Sequence, residues 1–358
     1  MYAVTDPSAV RRIVVIGGRG FFGAAAAELL RRDGSPPLVA SRRPGADLLA
    51  DAEDPASLRV ALRSGDVVID AAGPFQRRST ALVETCLTIG CDVIDLADSF
   101  DYVSKVQALA GRVASGGICV LTACSSVSAV SAALVRLSGV QAPVRVSTFL
   151  APAPRNTSTA ATSMSLMSSL ERPVRAVRDG SLVERLAFSA AQVFEFPAPV
   201  GRVSARLAES ADALTLPSVW PSLRDVDFWV DTRRPILNAL IAAAARSGIL
   251  RSMMRSAQDA GRRMTKRFGA TSGGFGIELE DANGVRHSSG FVHSTRSYIV
   301  AVAPAVLAAR RIAAGTFSSS GVVPADRQVD PVELITYLRG MGISDFGIDH
   351  PDARSGRL

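Results

Sequence analysis

Lysine is almost missing from this chain: Lys105 and Lys266 are the only two in 358 residues, although the formal net charge is +7. Arginine therefore carries the positive charge. It is spread along the sequence with no recognisable reading motif, so no nucleic-acid partner is expected. Histidine is scarce too, at three residues without matched spacing, which excludes a zinc cluster. The four cysteines fall into two C-x4-C pairs, Cys86 with Cys91 and Cys119 with Cys124. Cys86 lies on a helical pattern and Cys119 inside an apolar strand, so they read as buried free thiols of a cytoplasmic protein, with no metal. Long hydrophobic runs are lacking as well. No secretory signal is visible, and the apolar stretch 235–245 stops at Arg246, too short to cross a bilayer. Stable membrane insertion is not expected.

What is present is a globular composition, 47% hydrophobic and 20% charged, long enough for two domains. Arg11 to Gly23 reads RRIVVIGGRGFFG. Ile13 to Ile16 is a β-branched run typical of a strand buried on both faces. Gly18, Gly20 and Gly23 then follow the G-x-G-x-x-G spacing, and an alanine-rich helix comes next. The first glycine permits a tight turn, the second lets a pyrophosphate reach the backbone, and the third lets helix and strand pack closely. With Phe21 and Phe22 at the helix start, amide groups and helix dipole suit an anion.

The next strand, 38–40, ends at Ser41-Arg42-Arg43. A hydroxyl with two arginines at this strand end suits a 2′-phosphate, so NADP is expected in preference to NAD. Further strands are read at 47–51, with Asp51 among the cofactor contacts, and at 66–70, 92–98 and 118–121. Asp54-Pro55 opens a helix as cap and first turn. Helices are read at 79–89, closed by Gly90, and at 102–114. Ala72-Gly73-Pro74, a small-residue turn at a strand end, belongs beside the nicotinamide ribose. This βα alternation predicts an α/β fold, an N-terminal doubly wound Rossmann domain over residues 1–130.

The GGRGFFG turn, Ala72-Gly73-Pro74-Phe75-Gln76, Asp95-Leu96-Ala97-Asp98 and Cys124-Ser125-Ser126-Val127 together resemble the saccharopine dehydrogenase-like family, and within it the bacterial NADP-binding oxidoreductases. The resemblance covers about the first 130 residues. It implies a dinucleotide cofactor and a second α+β domain closing over the nicotinamide. One departure is Val127-Ser128-Ala129, where that family often has a proline before the helix.

Beyond residue 130 the rhythm changes to alternating segments at 144–149, 191–196, 226–230, 274–280 and 296–302, with helices at 131–137 and 160–170. A two-helix element is expected across 235–264 with a break near Gly248. Asn283-Gly284 suits a type I′ hairpin turn. This predicts a substrate and dimerisation domain over 131–303, built on an antiparallel or mixed sheet. Residues 304–358 then return to the Rossmann domain, as the resemblance implies.

For the chemistry, a nicotinamide carries the hydride and the protein manages one proton. His293, Tyr298 and Tyr102 are the candidate donors, with His287 also considered. On a strand His293 and Thr295 share one face, Arg296 and Tyr298 the other. Tyr102 and Lys105 are three apart, not the four of a short-chain dehydrogenase pair. Ser125 and Ser126, at a strand end, and Arg155, Asn156 and Arg296 are candidate substrate contacts; the resemblance implies the Arg-Asn pair. The expected function is NADP-dependent hydride transfer to or from a small carbonyl or imine in an interdomain cleft, by a homodimer. The rivals are a dinucleotide-binding synthase or isomerase without net redox turnover, and a non-catalytic Rossmann scaffold.

Overall fold

The structure is a computed structural model that describes residues 11–348. Residues 1–10 and 349–358, included in the terminal ranges expected above, lie outside the described residues. Contacts divide the chain into a first unit, residues up to Ser125 with Ala301–Val329, and a second, Ser126–Val300 with residues from Asp330 onward.

The first unit runs β1 (Ile13–Ile16), α1 (Phe21–Arg32), β2 (Leu38–Ser41), β3 (Leu48–Leu49), α2 (Pro55–Ala61), β4 (Val67–Asp70), α3 (Ala81–Ile89), β5 (Asp92–Asp95), α4 (Phe100–Ala108), α5 (Ala110–Gly116) and β6 (Cys119–Leu121). The second unit opens with α6 (Ala129–Leu137), β7 (Pro143–Ala151), α7 (Pro154–Thr157), α8 (Ala160–Ser169), β8 (Val174–Arg178), β9 (Ser181–Arg185), β10 (Ala191–Glu195), β11 (Arg202–Ala208), α9 (Asp212–Val219) and β12 (Asp225–Val230). It continues through α10 (Pro235–Arg246), α11 (Gly248–Ser256), α12 (Gln258–Phe268), β13 (Gly273–Asp281) and β14 (Arg286–His293). Then come α13 (Ile299–Ala313), which carries the chain back to the first unit, β15 (Gly321–Val322), α14 (Pro331–Gly340) and β16 (Ser344–Phe346).

In the first unit the order is β15-β6-β5-β4-β1-β2-β3, and every pairing is parallel. Strands 3-2-1-4-5-6 are the dinucleotide-binding order, here extended by β15. β1, β4 and β5 are buried along their whole length, as their apolar runs predict. Asp54 caps α2 through the Ala56 amide, and Gly90 closes α3 in the left-handed conformation.

The second unit is a mixed sheet, β10-β11-β12-β7-β13-β14-β16, with β8 paired to β12 and β9 to β8. β7 and β12 run parallel, and the other pairings are antiparallel. Phe149 stacks on Phe194 at 4.4 Å within its core.

Several expectations are corrected. The segment 296–302 is no strand: His293 ends β14 and Ile299 begins α13, so the face argument for Arg296 and Tyr298 fails. The apolar run that starts at Ile299 fits a helix buried on nearly every side equally well, and period alone cannot separate the two. The stretch 102–114 falls into two helices, and 235–268 into three. The third strand shrinks to two residues. The hairpin turn is not type I′, because Gly284 has positive φ and Asn283 does not. Gly284 N–H donates to Asp281 C=O and Asp281 N–H to Val285 C=O, a three-residue loop with glycine in the left-handed position. Residues after Asp330 join the second unit because β16 pairs with β14, Gly290 opposite Phe346.

Candidate functional site

The glycine turn of the first unit is built by contact. Gly17 takes φ +73, and a Cβ there would lie 2.8 Å from the backbone of Ala72. A Cβ on Gly18 would lie 2.8 Å from the Val39 side chain, and one on Gly23 2.4 Å from the Gly17 carbonyl oxygen. Gly20 has room: its one neighbour is the Gly17 carbonyl oxygen at 3.1 Å. The tight turn, closed by Gly20 N–H to Gly17 C=O at 2.8 Å, therefore depends on Gly17, outside the G-x-G-x-x-G spacing. The doubled glycine after a buried strand is the signal that marks it.

Gly20 is also the N-cap of α1. No side chain caps the first turn and no acidic residue occupies it, an arrangement that suits an anion at the helix start. Beyond β2, Ser41 is buried and its hydroxyl accepts the Arg43 amide at 3.1 Å, while Arg42 and Arg43 are exposed. Arg19, inside the glycine turn, donates to the Pro44 carbonyl and joins those arginines. Sequence reasoning missed Arg19, although an arginine between the motif glycines was the visible cue. Asp47 is turned onto the Val39 amide at 2.8 Å. Asp51 shapes the next turn, its carboxylate accepting the Glu53 amide and its own amide donating to the Ser57 hydroxyl.

Ala72-Gly73-Pro74 is held from below. Arg78 donates to Ala72 C=O at 2.6 Å, pairs with buried Asp70 at 2.9 Å and reaches Glu53. Burial opposes the Arg78 charge, but Asp70 and Glu53 outweigh it and raise its pKa. A carboxylate ending a fully buried strand needs such a partner, so Asp70 was the legible half of this pair.

At the end of β5, Asp95 is wholly buried and its Oδ1 accepts the amides of Ala97 and Ala123. Oδ2 makes no hydrogen bond of ordinary geometry. Burial pushes its pKa up to about 7 against those amides and the nearby Thr122 hydroxyl. Tyr102, a sequence candidate for proton donation, lies in the core of this unit with its ring 5.0 Å from Phe75. Its hydroxyl has no hydrogen-bond partner among the described residues, and burial with the charges of Asp95 and Asp70 raises its pKa well above the usual value. That is the setting of a core side chain, not of an acid facing substrate. All four cysteines are free and buried. Burial pushes the Cys119 thiol up to about 12 and Cys124 well above its usual value, so neither is poised as a nucleophile. Among the described residues no His/Cys/Asp/Glu group has the arrangement of a metal site.

Ser125 donates its hydroxyl to the Ala301 carbonyl at 2.9 Å, and the Ser126 carbonyl accepts from Ser131. Ser125 thus has a structural partner for its hydroxyl, and Ser126 for its backbone carbonyl. Ser128 has φ 69 and ψ −72, a strained γ-turn closed by Ala129 N–H to Val127 C=O. Its amide donates to buried Asp212, which also accepts from Ser131 and Thr148. A proline at 128 has no such amide to give, a physical counterpart to the departure noted there.

In the second unit, the Arg155 guanidinium donates to the last carbonyl turn of α12, at Arg267, and the Asn156 amide to Thr295 C=O at 2.5 Å. The pair ties a helix end to the turn 294–298, which also contains Arg296 and Tyr298. His293 is half-buried there. Its Nδ1 accepts the amides of Thr295 at 2.9 Å and Arg296 at 2.8 Å. Two donors on Nδ1 leave the proton of the neutral ring on Nε2. Desolvation, then the Arg296 charge, lowers the His293 pKa. Asn156, His293 and Arg296 are therefore brought together at one turn, while His287 stands exposed on β14.

Comparison with known proteins follows the same division. Residues 13–121 match the model of the saccharopine dehydrogenase NADP binding domain. An Arabidopsis thaliana protein described as a probable mitochondrial saccharopine dehydrogenase-like oxidoreductase is 26% identical over 152 residues, 35% of this chain and 34% of that one. The chain thus spans about a third of the curated relative it matches. The saccharopine dehydrogenase of Saccharomyces cerevisiae, in its apo form, superposes with a TM-score of 0.61 at 12% identity, covering 95% of this chain and 100% of that one. Its likeness is one of fold. Residues 13–121 belong to the saccharopine dehydrogenase NADP-binding domain family, set in a chain with the saccharopine dehydrogenase fold.

Proposed function

We propose that this chain is an NADP-dependent oxidoreductase that transfers a hydride between NADPH and a small carbonyl or imine. The observation that carries the reading is the uncapped start of α1 above a glycine turn packed on Ala72, beside a β2 end with Arg19, Arg42 and Arg43. Gly20 would let the pyrophosphate approach the backbone, and the α1 amides would hold it. Ser41, Arg42 and Arg19 would take the 2′-phosphate by charge-assisted hydrogen bonds. Arg78 would keep the Ala72-Gly73-Pro74 turn in place at the ribose. When bound, the nicotinamide supplies the two-electron chemistry.

His293 is the candidate partner of the substrate oxygen or nitrogen, as a neutral imidazole donating from Nε2–H. Its depressed pKa favours polarising a carbonyl over full protonation of it. Tyr298 and Arg296, in the same turn, are the remaining candidates for the proton and for a substrate carboxylate. The family likeness supports dehydrogenase chemistry, and imines from amino acids fit that likeness. A cytoplasmic homodimer joined through edge strands of the mixed sheet belongs to the same reading.

Titration of purified protein with NADPH and NADH, beside Arg42→Ala and Arg19→Ala, tests the proposal. NADPH should bind more tightly than NADH, and each variant should weaken NADPH by roughly tenfold, about 1.4 kcal/mol. Equal affinity for both cofactors sinks the 2′-phosphate assignment. No binding of either replaces the oxidoreductase with the scaffold. Retention of bound cofactor with no NADPH consumption across carbonyls and imines points to the synthase or isomerase.

A further inference from the structure

The even spread of arginine read along the sequence conceals a concentration. Residues 233–268 contain eight arginines and Lys266 against Asp259 alone, a net +8, so the rest of the chain sums to −1. From Pro235 on this segment is the consecutive helices α10, α11 and α12 of the second unit, each touching the next, with Arg233 and Arg234 just before them.

The same helices carry large apolar side chains that no described residue covers. Ile236 and Leu240 on α10, Ile249 and Met253 on α11, and Met264 and Phe268 on α12 are between 52% and 79% exposed. Each pair is four residues apart and so shares one helix face. The opposite side of α10, with Asn238, Ile241 and Ala245, is buried, so its exposed side is a second apolar face and not a frayed core face. α11 and α12 bury no residue completely. Beside Met264 and Phe268 lies a basic pair at the same spacing, Arg263 with Arg267, while on α11 Arg251 and Arg255 stand on the side away from Ile249 and Met253, Arg251 donating to the carbonyls of Ala244 and Ala245. Arg255 meets Glu171 and Arg262 meets Asp259; Arg263 and Lys266 have no acidic partner among the described residues.

We propose that α10 to α12 form a peripheral docking surface for an anionic lipid bilayer. Exposed Ile, Leu, Met and Phe on helices flanked by arginine match an interfacial helix, with the apolar face among acyl chains and guanidinium groups at the phosphates. The charge argues against a second copy of the chain: an isologous contact would set the seven cations of these helices against seven more, with Asp259 and Glu171 on each side to relieve them. No helix among the described residues is long and apolar enough to cross a membrane, so the surface lies on the bilayer. Nothing in this inference depends on the dinucleotide.

The test is co-sedimentation of the full chain with vesicles of phosphatidylcholine alone and of phosphatidylcholine with one-third phosphatidylglycerol. Binding is expected to the anionic vesicles, to fall with added salt, and to weaken by roughly tenfold or more in Ile249→Ser/Met253→Ser and in Arg263→Glu/Arg267→Glu. These side chains lie outside the core, so both variants should keep the native circular dichroism and cofactor affinity. No vesicle binding overturns the proposal, as does equal binding to neutral vesicles or binding that both variants leave intact. A dimer that dissociates in the Ile249→Ser/Met253→Ser variant, without vesicle binding, hands the surface to a second copy.

Discussion

The α-carbon of Gly23 faces the carbonyl oxygen of Gly17 so closely that an added Cβ would stand 2.4 Å from it. Helix α1 therefore rests directly on the turn that begins it. Gly23→Ala must push the two apart, and a loss of about 1–3 kcal/mol is expected together with dinucleotide binding. Gly20→Ala differs, because its φ is −79 and its single contact is at 3.1 Å. It should melt near the native temperature while binding NADPH more weakly. Thermal melts beside fluorescence titrations of both variants decide the matter; a native-like melt for Gly23→Ala contradicts it.

Arg78 and Asp70 form a buried ion pair whose second task is to hold the Ala72 carbonyl. Removing one partner strands the other, so Arg78→Met is expected to cost about 3–5 kcal/mol in urea unfolding. Asp70→Leu/Arg78→Met removes both charges and should recover much of that loss. Cofactor affinity should stay low in the double variant, since the Ala72 turn still lacks its donor.

Asp95 couples stability to pH. Its folded pKa of about 7 stands above the ordinary 3.8, so the folded state holds a proton that the unfolded chain releases. The contribution is intact below about pH 4 and is lost as pH rises through about 7, on the order of 4 kcal/mol over the whole range. Asp95→Asn keeps an oxygen for the Ala97 and Ala123 amides and removes the ionisation. Its melting temperature should vary less between pH 5 and 8 than that of the native chain. Parallel profiles would place the titration elsewhere.

His293 acts in the opposite direction. Its pKa is lowered on folding, so its contribution is present above the ordinary 6.5 and is lost as pH falls through the folded value. Nitrogen NMR of the ring at pH 7 should show Nδ1 unprotonated and Nε2 protonated. His293→Asn, which can still accept the Thr295 and Arg296 amides, should be more stable than His293→Ala. Both should lower kcat if Nε2–H serves the substrate.

The parts of this protein legible in its sequence are those with local causes. A β-branched run becomes a parallel strand because both faces are covered. Asp54-Pro55 starts a helix through its own cap, and Gly90 ends one through its own φ. The glycine spacing marks a dinucleotide turn through the space each position leaves. Even here the assignment slipped by one residue, because what forces Gly17 is Ala72, a neighbour from a different strand end.

The remainder depended on distant partners. Whether 299–302 is strand or helix rested on what surrounds it, since an apolar run buried on every side has no period to read. Arg155 and Asn156 read as substrate contacts in the sequence, which could not show that each also gives a donor to α12 or to the turn 294–298, more than a hundred residues away. Tyr102 looked like an acid until the fold closed over it. Local sequence determined the βα framework and its cofactor turn, because capping, chirality and apolar spacing act within a few residues. Tertiary structure alone decided which polar groups are already spent, because that depends on long-range neighbours that no window of sequence contains.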